Sequence, residues 1–204
     1  MLQQDYVTAD ETYHKVLLAK IKPTDKGSKK GYLWAVSAPK LGLVFFVYED
    51  GSRSEQVILN VFSDYKGTIQ SDAYAPYRKL ESDAYPDIMR IACLQHVKRD
   101  FIDCGKEDKD AQEVVDTPLD NNYIERIQRY ISLSRRNSMF FGSHEGAGRA
   151  AILYSIAISC RLNGINLFEY ICDVIEKTAE WQPNTPWEKY RDLLPDRWKK
   201  QQQH

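Results

Sequence analysis

The chain has 204 residues, 43% of them hydrophobic and 28% charged, with 13 tyrosines and a formal net charge of −1. That length suits one domain, or one domain with a small appendage, and is enough to bury a substantial core. A charge this near zero gives no global sign of nucleic acid or membrane, no apolar run approaches the ~18 residues of a spanning helix, and the N-terminus reads as free of a signal peptide.

Residues 5–21, "DYVTADETYHKVLLAKI", have the pattern of a strand interrupted by acids. "GYLWAVSAP" (31–39) and "LGLVFFVYEDG" (41–51) are further strands, with a turn signal at Pro39–Gly42 between them. Three strands with short connections predict an antiparallel meander. The period then changes. After Ser54, a candidate N-cap, Val57, Ile58, Val61 and Phe62 fall at helical spacing, with Gly67 as a stop. "TIQSD" (68–72) reads as a short strand ending in an acid, and 87–105 as a strand running into a helix from about Gln95. Strand, helix, strand alternation predicts parallel pairing.

The polar stretch 105–117, "GKEDKDAQEVVDT", reads as a linker. Beyond it Ile124, Ile127 and Ile131 mark one apolar helical face, 146–164 a long apolar helix closed by Asn163-Gly164, and 165–181 an amphipathic one. The tail from Gln182, with Pro183, Pro186 and Pro195, predicts an extended arm. "GSHEGAG" (142–148) lacks the Lys-Ser/Thr ending of a phosphate loop and reads as a helix entry. The four cysteines form no CxxC pair, which points to free thiols in a reducing compartment. Cys93 and His96 have a ligand-like spacing but no second pair, so no structural zinc site follows.

Three acids stand out: Asp10 within the first strand, Asp72 at the end of the fourth, and Glu125 at the head of a later helix. In a mixed sheet whose first strand lies beside the fourth, Asp10 and Asp72 would meet, and a helix across that edge could bring Glu125 to them. Two carboxylates about 4 Å apart repel by roughly 4 kcal/mol at an effective dielectric of 20, so such a site takes up a proton or a cation. Carboxylate oxygens suit magnesium or manganese. Residues 126–149 hold Arg126, Arg129, Arg135, Arg136, Arg149 and His144 against the single acid Glu145, a local strip that can attract phosphate. His96, Lys98 and Arg99 add basic character upstream. The plainer alternatives stay open: Asp72 as a turn residue, Glu125 as a partner in helical ion pairs, and the upstream basic residues as a solvated face.

Taken together these motifs resemble the DDE transposases of insertion-sequence family sixty-six, in their catalytic and C-terminal parts. "YVTADET" is similar to the family's first-strand motif, "GTIQSDAYAPY" to its G-x-L-Q-x-D-G-Y-x-x-Y segment, and "CLQHVKRDF" to C-W-A-H-x-R-R-x-F. "LDNNYIERIQRYISLSRRN" follows D-N-N-x-x-E-R through G-R-K-N and on to K-L-N-G, and "YRDLLPDRW" is similar to the L-L-P-W ending. The resemblance covers nearly the whole chain. It implies an α/β, RNase H-like fold, a five-stranded mixed sheet flanked by helices with extra C-terminal helices. It implies Asp10, Asp72 and Glu125 as catalytic metal ligands for two Mg2+ or Mn2+ ions, with His96, Lys98, Arg99, Asn122, Arg126, Arg129, Arg135 and Arg136 on DNA. The expected partners are transposon ends and target DNA, in a homo-oligomer on DNA, without membrane, in a bacterial cytoplasm.

The expected organisation is a catalytic core over 1–145, C-terminal helices over 146–181 and a tail over 182–204. Departures from the family pattern are Ala73 for Gly, Ser134 for Gly, Arg136 for Lys, Ser138 for Trp and Tyr130 for Pro. The family's long helical insertion is reduced to the linker at 105–117, and its end-recognising N-terminal region is missing from this sequence. Two functions compete: a metal-dependent DNA recombinase core, and a catalytically silent remnant of the same fold that binds DNA or assembles. A glycosidase pair of carboxylates fits less well, since arginines beside Glu125 favour a permanently charged acid.

Overall fold

The first strand sets the frame. In the computed structural model, which describes residues 3–18, 27–93, 122–137, 140–182 and 184–201, β1 (Tyr6–Leu17) pairs antiparallel with β2 (Ser28–Ala38), and β2 with β3 (Leu43–Val47). A single helical turn at Pro39–Leu41 joins β2 to β3 and ends in Gly42 at φ 61°, a conformation that favours glycine. After α1 (Glu55–Val61) the chain returns as β4 (Gly67–Ser71), parallel to β1, and after α2 (Ala75–Arg78) as β5 (Ile88–Ala92), parallel to β4. The order β3-β2-β1-β4-β5 is the mixed five-stranded sheet that the sequence predicts, consistent with an RNase H-like fold. Ser54 occupies the N-cap position of α1. Gly67 does not end that helix. It opens β4 at φ 138°, where a Cβ would lie 2.7 Å from the Asp5 carbonyl oxygen. Its role is close approach of β4 to the entry of β1.

Alternation along the strands supplies two cores. On one face Val7, Ala9, Trp34 and Val36 meet Ile58 of α1 and Phe62 just past its end, with Tyr77 and Leu80 beyond. On the other, Val16, Leu33 and Ala35 meet Ile124, Ile127 and Ile131 of α3 (Asn122–Asn137), and Val44 and Phe46 join Ala147, Ala151 and Ile158 of α4 (His144–Leu162). Helix α4 starts where the sequence predicts a helix entry: Ser143 caps it by accepting from Gly146 N at 3.0 Å. It covers the outer edge of β3, whose amides at Val44 and Phe46 donate to Ser159 Oγ (3.0 Å) and Ser155 Oγ (2.8 Å). An edge strand is thereby satisfied by a helix instead of being left to pair with another chain.

Phe141 closes the far end of β1. Its amide donates to the Lys15 carbonyl and its carbonyl accepts from Leu17 N, both at 2.8 Å. Fully buried His14 stacks on its ring at 4.0 Å.

The expected extended arm is not what forms beyond Gln182. After α5 (Leu167–Thr178) come two short helices, α6 (Trp187–Asp192) and α7 (Pro195–Gln201). Pro186 precedes the first and Pro195 opens the second. Prolines that suggest broken structure act here as helix starters, because their fixed φ suits the first turn. Trp198 of α7 packs on Cys160 and Tyr170 and donates from Nε1 to Asp173 at 2.6 Å. The helix expected from Gln95 and the linker at 105–117 lie outside the described residues. Among the described residues no single helix is long and apolar enough to cross a membrane.

Ile131 is fully buried between α3 and the sheet, whereas Leu133 is half-exposed. Urea denaturation of Ile131→Ala should show a loss of about 2–5 kcal/mol, and Leu133→Ala a change within about 0.5 kcal/mol.

Candidate active site

The parallel pairing of β1 with β4 has the register Tyr6–Thr68, Val7–Ile69, Thr8–Gln70. Carried two residues on, it sets Asp10 beside Asp72. Strand β4 stops at Ser71 while β1 runs on to Leu17, so the acids sit where a short strand ends against a long one. Ligand sites of open α/β sheets favour this carboxyl end of parallel strands. Asp72 is also a turn residue, accepting from Tyr74 N at 3.0 Å. Asp10 Oδ1 accepts from the amide of Glu11 at 2.8 Å.

A cavity of about 450 Å³ opens at this edge, lined by Asp10, Glu11, Arg53, Asp72, Glu125, Gln128, Arg129 and Ser132. Helix α3 reaches it because its apolar stripe faces the sheet. Ile124, Ile127 and Ile131 fix the helix rotation, and Glu125, Gln128, Arg129 and Ser132 fall beside that stripe.

Asp10 and Asp72 are thus brought together as the sequence suggests, but their immediate companion is Glu11. One oxygen from each of Asp10, Glu11 and Asp72 lies within 4.8 Å of the others. Glu125 lines the same cavity without belonging to that tight group. Sequence reasoning missed Glu11 because alternation along β1 turns it to the face of Val7 and Ala9, away from Asp10. At the edge where β4 ends, both faces reach one cavity. Arg53 was missed because it lies in the connection between β3 and α1, where no periodic pattern marks it. The only advance signal for Glu11 was its place directly after Asp10.

Glu11 is the most constrained of the acids. Its side chain is 4% exposed. Its Oε1 accepts from Arg53 Nη2 at 2.6 Å and Nε at 3.1 Å. Its Oε2 is buried with no hydrogen-bond partner, as is the hydroxyl of fully buried Tyr77 beside it. The two groups approach each other, but their geometry falls short of a formed hydrogen bond. Burial pushes the Glu11 carboxyl up; Arg53 pulls it back down, and the charge of Asp72 adds to the rise. Burial also holds the Tyr77 phenol well above its usual value of 10, and the charges of Glu11, Asp10 and Asp72 push the same way. A buried carboxylate oxygen without a partner, next to two further carboxylates, is what a hard cation with oxygen ligands would satisfy. The donor set contains no thiolate or imidazole, which suits magnesium, calcium or manganese over zinc or copper.

The basic residues divide. Arg129 is exposed and lines the cavity, and Arg126 is exposed one turn earlier on α3. Arg135 donates to the Tyr13 carbonyl at 3.0 Å and lies over the Tyr13 ring, which ties α3 to β1. Asn122 and Arg136 belong to α3, but their side chains lie outside the described residues, as do His96, Lys98 and Arg99 entirely.

Comparison with known proteins follows the same lines. The family model described as "Transposase IS66 family" matches residues 1–117, more than half of the chain. The match includes Asp10, Glu11, Arg53 and Asp72 and stops before Glu125. An uncharacterised protein, y4jD, of Sinorhizobium fredii is 23% identical over 291 residues, covering 98% of this chain and 55% of its own length. That alignment is longer than the chain, so the relative carries residues this chain lacks. A second S. fredii protein, y4hP, is 39% identical over 82 residues, 40% of this chain and 14% of the relative. YuaK of Escherichia coli is 42% identical over 43 residues, 21% of this chain and 46% of its own. The chain spans about half the length of y4jD and a smaller part of y4hP.

The Glu11 carboxyl sets a pH dependence of known sign. Its folded pKa is raised, so the fold favours the protonated form. The resulting stabilisation is complete below the usual carboxylate range and is lost as pH rises through the folded value. In EDTA, the melting temperature of Glu11→Gln should therefore gain on wild type as pH climbs from about 4 to 7. Parallel melting curves across that range would show that Glu11 does not carry the dependence.

Proposed function

The chain belongs to the IS66 family of transposases, and from that membership we propose that it is the catalytic core of a DDE transposase, which cleaves DNA at the ends of an insertion sequence and joins them to target DNA. The observation that carries this reading is the β1–β4 register, which sets Asp10 beside Asp72 in a cavity that Glu125 also lines. Asp10 and Asp72 would hold two divalent ions, magnesium or manganese, with Glu125 completing the set and Glu11 adding its buried oxygen. When bound, such ions activate a water or a 3′-hydroxyl and stabilise the leaving oxygen of a phosphodiester.

The remaining residues act on the substrate. Arg129 on the cavity wall and Arg126 one turn away would place positive charge beside a DNA backbone, and Arg136, Asn122, His96, Lys98 and Arg99 are the further DNA contacts of this reading. Arg135 adds charge to the rim while it holds α3 to β1. Tyr77 and the apolar face beneath Glu11 keep water from that side of the acids, which strengthens every charge interaction there. In this reading residues 1–145 form the catalytic unit, 146–181 buttress it through α4, and 182–204 complete the packing around Trp198. The partners are transposon ends and target DNA, engaged by a homo-oligomer in the bacterial cytoplasm.

The test uses wild type and Asp72→Asn with a duplex bearing the terminal sequence of the chain's own element. Manganese should raise the wild-type melting temperature, by the equivalent of about 2.7 kcal/mol at a hundred times its dissociation constant, and should support nicking at the element boundary. Asp72→Asn should lose the thermal shift and lower nicking by more than the roughly 10- to 100-fold that loss of an outer-shell partner costs. Nicking that survives Asp72→Asn unchanged would overturn the assignment. A wild type that binds manganese and DNA yet never nicks would identify the silent remnant instead.

A further inference from the structure

We propose that Arg53 binds the scissile phosphate, a role that rests on the transposase reading above and adds to it a substrate contact from outside helix α3.

Arg53 is held in place before any substrate arrives. Its guanidinium lies 4.0 Å from the ring centre of Tyr74 and 5.0 Å from that of Tyr32. The backbone beneath it is fixed from two directions. Trp34, fully buried in β2, donates from Nε1 to the Ser52 carbonyl at 3.0 Å, and the Tyr74 hydroxyl donates to the Arg53 carbonyl at 3.2 Å. Tyr74 also donates its amide to Asp72 Oδ1 at 3.0 Å. One residue therefore links Arg53 to an acid of the metal-binding group. A positioned cation of this kind is what phosphate recognition requires, since little ordering remains to be done on binding.

The contact with Glu11 does not use up the guanidinium. An arginine that served only to neutralise a carboxylate would be expected to fork across both oxygens. Here Nε and Nη2 both go to Oε1, and Oε2 has no partner. Of the five N–H groups of an arginine, those not given to Glu11 have no hydrogen-bond partner among the described residues. The side chain is 42% exposed and lines the cavity with Asp10, Asp72 and Glu125. Gln128 of α3 lines the same cavity, and its Nε2 is likewise buried without a partner. Two donors from different parts of the chain thus share a cavity with the acids, and a phosphodiester with its bridging and non-bridging oxygens supplies the acceptors both lack.

The experiment measures binding, not turnover. Fluorescence anisotropy, with calcium present to occupy the acids, would compare the element's terminal duplex with the same duplex carrying one neutral methylphosphonate at the cleavage position. For wild type the neutral linkage should weaken binding roughly tenfold, the value of a charge-assisted hydrogen bond. Arg53→Gln should bind the natural duplex with the same loss and lose most of its sensitivity to the methylphosphonate. A second pair guards against misfolding from an uncompensated Glu11: Glu11→Gln with Arg53→Gln should be less sensitive than Glu11→Gln alone. Full methylphosphonate sensitivity in both Arg53→Gln proteins would overturn the role of Arg53 while leaving the transposase reading intact. A wild type that binds no terminal duplex would overturn that reading, and this one with it.

Discussion

The pairing of β1 with β4 is the constraint on which the site depends. Three backbone partners fix the register, and because side chains alternate strictly along a strand, a slip of one residue would turn Asp10 away from Asp72 and reverse the two cores. The register is protected from both sides. Val7 and Ala9 are locked into the core under α1, and Gly67 admits the Asp5 carbonyl so closely that no side chain could replace it without strain. Packing far from any chemistry thus decides whether two charges 62 positions apart in the chain come within reach of one ion.

Much of this was legible in the sequence because it is written in periodicity. The meander, the switch to helical spacing after Ser54, and the stripe of Ile124, Ile127 and Ile131 each declare themselves through a repeat of two or of three to four residues. Asp10 and Asp72 were legible as acids that interrupt or terminate such runs. Glu11 and Arg53 were not. Glu11 sits on the side of the strand that periodicity assigns to the core, and only the early end of β4 lets it reach the cavity. Arg53 lies in a connection, where position depends on Trp34 and Tyr74 from distant elements. The C-terminal tail failed for another reason: prolines disfavour helix interiors but favour helix starts, and the sequence alone does not say which position they hold.

Helix α4 shows how the fold closes on itself. It is apolar on much of its circumference, yet its most specific contacts are polar, from Ser155 and Ser159 to the β3 backbone. Asn163, just past its end, reaches back to the Gly42 carbonyl at 3.0 Å. These bonds fix the helix along the strand direction, which burial of apolar surface alone would leave free to slide.

The walls of the cavity carry four carboxylates, from Asp10, Glu11, Asp72 and Glu125, and two guanidiniums, from Arg53 and Arg129. Left to themselves they carry an excess of negative charge, which would oppose the approach of a polyanion. Multivalent cations held there would reverse the sign of the field, and the same mouth would then favour the polyanion. On the proposed reading the imbalance would favour a sequence of arrival, ions before nucleic acid, and so act as a safeguard: without its ions the site would have a weaker hold on a strand it could damage.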